Sequence, residues 1–163
     1  MESGMIMSGV PKLEHVCDLT VQVGAPLEAG PVRGLNSAGL RRIIPITGGV
    51  VRGAHLNGVV MAGGADFQLL VSDTAAELDA RYILELDGGA KVYVHNRAIR
   101  RGTPEQISRL FRGEAVDPEA LYFRCMPSFE VSDGQLRWLT ESVFIGTGAR
   151  YPDRVEMAFF RVL

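Results

Sequence analysis

Lysine is nearly missing from this chain: Lys12 and Lys91 are the only two, and arginine supplies the rest of the 17 basic residues. The guanidinium group is planar, forked and always charged, so the bias suits carboxylate recognition and salt-bridge lacing equally well. Cysteine is almost as scarce. Cys17 and Cys125 lie far apart, too few for a disulfide framework or a zinc cluster, and both read as buried free thiols of a reducing compartment. The three histidines, His15, His55 and His95, show no ligand spacing, so neither a metal nor metal-dependent hydrolysis is expected. An excess of one charge is lacking too. Net charge is −2 with a pI near 5.9, which predicts no general attraction to nucleic acid or to an anionic membrane. No apolar run approaches transmembrane length. The opening MESGMIMSGVPKLEH has neither a basic region nor a continuous apolar core, so no signal peptide is expected and the cytoplasm is the expected compartment. The glycine-rich "GGVVRG", "AGGAD" and "GTGAR" are not phosphate loops, because no GK[ST] and no helix follow them.

What is present is an ordinary globular composition, 47% hydrophobic and 22% charged over 163 residues. It predicts a single domain, 1–163, with 1–12 as a mobile tail. From Leu13 to Val23 the odd positions are Leu13, His15, Cys17, Leu19, Val21 and Val23, the alternation of a half-buried strand. His15 on that apolar face reads as a hydrogen-bonded core histidine. Residues 24–40, rich in Gly and Pro, read as a loop with at most one helical turn. Short β-like segments follow near 42–47, 49–52, 55–62, 65–72, 75–86, 90–98, 121–130, 136–146 and 153–162. One stretch looks helical: Thr103 caps, Pro104 and Glu105 suit the first turn, Ile107, Leu110 and Phe111 share a face, and Gly113 closes it. Many short strands and one helix point to an antiparallel barrel or sandwich.

Three strands can be set in register. A turn at Asp73-Thr74 faces Phe67 with Ala80, Leu69 with Leu78 and Val71 with Ala76, and on the other face Asp66 with Arg81 and Gln68 with Asp79. A three-residue loop, Asp87-Gly88-Gly89, then faces Leu84 with Val92 and Tyr82 with Val94. Its opposite face pairs Glu85 with Lys91, Arg81 with His95 and Asp79 with Arg97. The outcome is a row of Asp66, Arg81 and His95 across three strands. On the outside of a barrel such a row is a solvated ladder of ion pairs, each worth little. On the inside it could grip an anion and move protons, with acidities set by burial and by neighbouring charge. The pattern admits both. Tyr82 falls on the aliphatic face and reads as core. Arg41-Arg42 read as an anion contact or a rim cover. Arg124 and Glu130 read as an exposed ion pair on an aromatic-lined strand, and Trp138 as a packed ring or a stacking surface.

"RRIIPITGG", "MAGGADFQ", "AELDARYILELDGGAKVYVHNR", "YFRCMPSFE" and "WLTESVFIGTGAR" occur in order over roughly residues 13 to 163. Together they resemble the successive motifs of the DUF3237 (UPF0311) family. Ala62 stands where relatives usually have proline, and Cys125 where a threonine-like residue is usual. The resemblance implies an all-β fold, an antiparallel up-and-down-like barrel of about eight to ten strands with one short helix, enclosing a cavity. It also implies a small-molecule pocket, and cofactor-independent chemistry on an aromatic or hydrophobic carboxylic acid, a lyase of decarboxylase type or an isomerase. Asp66, Asp79, Arg81, Tyr82, Arg124, Glu130 and Trp138 match the family pattern. On this reading Asp66, Asp79 and Glu130 are the catalytic candidates, while Arg81, Tyr82, His95, Phe123, Arg124 and Trp138 hold the substrate. A non-catalytic binding barrel and a structural protein that forms a homo-oligomer through its aliphatic face are the alternatives.

Overall fold

The computed structural model describes residues 9–163. Most of the expected tail therefore lies outside the described residues, and 9–12 are exposed and without regular structure. Ten strands follow: β1 (Leu13–Val23), β2 (Leu27–Arg33), β3 (Ala38–Gly53), β4 (Gly58–Val60), β5 (Ala65–Leu70), β6 (Ala75–Leu86), β7 (Lys91–Arg101), β8 (Tyr122–Val131), β9 (Phe144–Arg150) and β10 (Arg154–Val162). They are joined by one helix, α1 (Pro104–Phe111), and by 3-10 turns at Pro118–Ala120 and Gly134–Thr140.

All pairings are antiparallel, and the path β1-β3-β5-β6-β7-β8-β9-β10 returns to β1, closing an eight-stranded barrel. β2 and β4 are additions along β3, whose two halves each carry two neighbours: β5 and β2 first, then β1 and β4. Closure removes the free edges that make open sheets sticky. It also demands close backbone approach. Gly49 lies at φ 142°, and a Cβ there would sit 2.0 Å from the Thr20 carbonyl oxygen.

Several segments differ from the sequence reading. The expected loop at 24–40 contains β2, whose Leu27–Arg33 run pairs with β3 despite its Gly and Pro. The strand expected at 136–146 is a 3-10 turn up to Thr140, and β9 instead runs through "GTGAR". His15 is exposed rather than core. The β1–β10 register shifts between His15 and Cys17, so alternation reverses at the bulge, and His15 Nε2 meets Asp18 at 2.8 Å outside.

The β6–β7 hairpin has the expected register, with Arg81 opposite His95, Asp79 opposite Arg97 and Glu85 opposite Lys91. The β5–β6 hairpin is one residue out. Val71 N–H donates to the Ala75 carbonyl at 3.0 Å, so the loop is Ser72–Thr74, three residues instead of two, and Asp66 faces Ala80. Because side chains alternate, that single residue sends Asp66 and Gln68 inward and leaves Arg81 and His95 outward. The proposed row is split by the barrel wall.

One half of the interior is filled with Leu56, Leu84, Val92, Phe129, Leu139 and Phe144, the Phe129 and Phe144 rings meeting edge-on at 5.1 Å. The other half is capped by α1. Thr103 and Gln106 form a capping box, and Ile107 and Leu110 pack with Val116, Leu121 and Leu70. Gly49→Val is expected to lower unfolding free energy in urea by at least about 3 kcal/mol, since it adds a backbone clash to strain. Gly63→Ala, at φ 112° with nothing within 4 Å, is expected to cost only about 1–2 kcal/mol by the same measurement.

Candidate functional site

Between the filled half and α1 lies a small, partly open cavity of about 40 Å³. Aliphatic side chains such as Val21, Ile44, Leu78 and Met157 line most of it, together with the Phe123 ring. Set into that apolar wall are Asp66, Gln68, Tyr82, Asn96, Arg100 and Arg150.

A hydrogen-bond chain fixes the acid. Arg42 Nε donates to Gln68 Oε1 at 3.0 Å, and Gln68 Nε2 donates to Asp66 Oδ2 at 2.8 Å. The Asp79 backbone N–H donates to Asp66 Oδ1 at 3.0 Å. No ladder pairing spans Phe67-Gln68 opposite Leu78-Asp79, so the carboxylate takes a donor of β6 that β5 backbone leaves free. Arg42 is itself anchored by its Nη1 donating to the Phe111 carbonyl at 3.0 Å, with its guanidinium 4.3 Å over the Phe111 ring. The helix cap and the interior acid thus share one arginine.

The interior is positive. Arg42, Arg100 and Arg150 are all buried, against the single carboxylate of Asp66. Arg42 reaches Glu28 at 3.7 Å, but Arg100 and Arg150 make no ion pair among the described residues. Burial pushes Arg100 down to about 10, with Asp66 pulling up and the other two arginines pushing further down; it remains charged at neutral pH. Burial likewise lowers Arg150. It raises Asp66, partly opposed by the Gln68 hydrogen bond, the Arg100 charge, the Asp79 N–H and the Arg150 charge. An acid with raised pKa beside two unpaired guanidinium groups can hold an anion and exchange a proton with it.

Three buried polar atoms of residues lining this space have no partner among the described residues: Tyr82 Oη, Asn96 Oδ1 and Arg100 Nε. Tyr82, Asn96 and Arg100 are each at least nine-tenths buried.

The structure brings Asp66, Tyr82 and Phe123 together at the cavity and leaves the other sequence candidates elsewhere. Asp79, Arg81, His95 and Glu130 lie on the outer face of β6–β8. There His95 Nε2 meets Asp79 Oδ1 at 2.8 Å and Arg81 Nε donates to it at 3.2 Å. Burial alone would push the Asp79 carboxyl up, but the hydrogen bonds and charges of Arg81 and His95 outweigh it and leave it below its ordinary value. Arg124 is also outside, donating to the Phe123 carbonyl at 2.9 Å. Trp138 packs at the filled end, 6.2 Å from the Phe144 ring. Sequence reasoning missed Gln68, Asn96, Arg100 and Arg150. A signal existed for Arg100, because the correctly registered aliphatic face Val92, Val94, Ala98 continues to it two residues on.

Fold and cavity together define a closed antiparallel β-barrel with a small polar cluster buried in an apolar chamber. The chain belongs to the family described as protein of unknown function (DUF3237), whose model matches residues 11–162. A UPF0311 protein of Rhodopseudomonas palustris is 43% identical over 155 residues, covering 94% of this chain and 99% of the relative. A crystal structure of a conserved protein of unknown function from Rhodopseudomonas palustris matches at 41% identity and TM-score 0.87, over 96% of this chain and 100% of that one. A β-barrel-like protein of Acinetobacter baumannii matches at 34% identity and TM-score 0.81, over 98% and 100%. An enzyme from Penicillium herquei, 18% identical with TM-score 0.65 over 94% and 95%, shares the fold. No described helix is long and apolar enough to cross a membrane.

The two kinds of buried arginine should part company in thermal and urea unfolding. Gln68→Leu strands Arg42 Nε and Asp66 Oδ2 and is expected to cost about 2–3 kcal/mol. Arg100→Met removes an unpaired buried charge and is expected to leave stability unchanged or raised. A large loss on Arg100→Met would make that arginine a structural element instead.

Proposed function

We propose that the barrel binds a small aromatic or otherwise hydrophobic carboxylic acid in its interior. On this reading the protein acts on that acid by proton transfer, without metal or organic cofactor, as a lyase of decarboxylase type or an isomerase. The observation that carries the reading is the pair Arg100 and Arg150, buried at the cavity without a protein carboxylate of their own. Leaving a buried guanidinium unpaired is costly, and a ligand carboxylate accepting its forked donors offsets that cost.

In this reading Arg100 and Arg150 hold the carboxylate, the Phe123 ring and the aliphatic wall hold the hydrophobic body, and Asp66 moves the proton. For decarboxylation the bond to the carboxyl carbon breaks, carbon dioxide leaves, and the electron pair passes into the conjugated body, where protonated Asp66 supplies a proton to carbon. For isomerisation Asp66 removes a proton from one carbon and returns it to another. The outer ladder of Asp79, Arg81, His95 and Glu130, together with Arg124 and Trp138, has no part in it. A cytoplasmic setting fits the two free, buried cysteines.

Calorimetric titration with cinnamic and phenolic acids tests binding. Arg100→Met is expected to weaken it at least about tenfold, the loss of one charge-assisted contact, whereas Arg81→Ala leaves it unchanged. The reverse pattern would move the site to the outer face. Turnover that Asp66→Asn abolishes while binding survives would identify the acid; binding without turnover in the wild type would leave a carrier.

The pH dependence has a definite sign. A bound anion favours protonated Asp66, whose pKa burial already raises. Affinity for the ionised ligand should therefore fall as pH rises through that raised pKa. Titrations in buffers of different ionisation heat should show proton uptake on binding, and Asp66→Asn should lose it.

A further inference from the structure

Tyr82 and Asn96 are inward-facing on adjacent strands. Tyr82 is opposite Val94 and Ala80 opposite Asn96, which makes the two diagonal neighbours on the cavity wall. Diagonal Cβ atoms of an antiparallel pair are about 7–8 Å apart, within reach of an aromatic side chain, so one ligand group can touch both. Yet Tyr82 Oη and Asn96 Oδ1 do not bond each other or any other described group.

The chemistry of the two atoms is complementary. Burial raises the Tyr82 hydroxyl well above its usual acidity range, so it keeps its proton and is a donor. The Asn96 amide is oriented by sulfur: Nδ2 donates to Met157 Sδ at 3.3 Å. A reversed amide would set oxygen against a thioether that has no proton to give. Burial raises the Cys125 thiol and the amide's hydrogen bond to it lowers it, as a donor's does, so Oδ1 is the atom left to accept. A donor and an acceptor left unpaired on adjacent strands of one wall select a group that is both. A hydroxyl accepts one hydrogen bond and donates one; a carbonyl cannot donate, and an ammonium cannot accept.

We propose that the ligand is a hydroxylated carboxylic acid, whose hydroxyl accepts from Tyr82 Oη and donates to Asn96 Oδ1 while its carboxylate lies at Arg100 and Arg150. This rests on the reading of the cavity as a carboxylate site. The placement follows the strand: Asn96 and Arg100 are four residues apart on one face of β7, about 13 Å of strand. An aliphatic or unsubstituted aromatic acid would leave two buried polar atoms unpaired, and a site built around a hydroxyl discriminates strongly against an analogue that lacks it.

The test is calorimetric titration of wild type, Tyr82→Phe, Asn96→Leu and Arg100→Met with 3-phenylpropanoate and its ortho-, meta- and para-hydroxylated forms. The best hydroxylated isomer is expected to bind wild type at least about tenfold more tightly than the parent acid. Tyr82→Phe should erase that preference while binding the parent acid as well as wild type does. It should also unfold at the same temperature or higher, because the hydroxyl it removes has no partner in the free protein. Asn96→Leu checks the acceptor, and its preference should be erased likewise. If the parent acid binds and depends on Arg100 but no isomer gains, or the gain survives in Tyr82→Phe, the hydroxyl assignment is overturned and the carboxylate site stands. If neither the parent acid nor any isomer binds, both fall.

Discussion

The hydrogen bond from the Asp79 backbone N–H to the Asp66 carboxylate joins the wall of the barrel to its interior. It occurs where β5 and β6 lack a backbone pairing, so the acid completes the sheet and faces the chamber at once. Through Gln68 the same acid is tied to Arg42, and through Arg42 to the carbonyl and ring of Phe111 at the end of α1. Sheet, interior and cap therefore meet at one carboxylate. Moving it would unsettle all three, because the buried Gln68 and Arg42 side chains would lose a partner.

The interior carries more positive than negative charge, and that imbalance is expensive for folding. Arg42 is compensated by its hydrogen bonds and by Glu28, but Arg100 and Arg150 are not paired to that degree. Asp66 serves all three by Coulomb attraction and bonds directly to none of them. The filled half, with its interlocked phenylalanines, carries the packing that lets the other half stay open and polar. Such a division of labour, with stability at one end and unsatisfied groups at the other, is the usual signature of a site.

The outer face of β6–β8 shows how misleading charge patterns are without register. Asp79, Arg81 and His95 are well connected to one another, yet they stand on the outer face with water as a competing partner. Pairs so placed contribute about 0–1 kcal/mol each. They look more like an active site in the sequence than Gln68, Asn96 or Arg150 do, because they are chemically conspicuous and lie close together in two adjacent strands.

Strand alternation, the Thr103 cap and the Asp87-Gly88-Gly89 loop are local features, and the sequence alone determined an antiparallel all-β class, α1 and the β6–β7 register from them; barrel rather than sandwich followed only from the family resemblance. Asp66 was legible as an unusual acid for the same reason: it opens an apolar strand. Only the tertiary structure decided which side of the wall it faces, because a loop of two or three residues at Ser72–Thr74 costs nearly the same locally but inverts every β5 side chain. Asn96 shares the inward face of β7 with Arg100, but neither its role nor that of Arg150 could be read locally. Their significance is that they converge on one chamber from strands far apart in the chain, and convergence of that kind exists only once the barrel has closed.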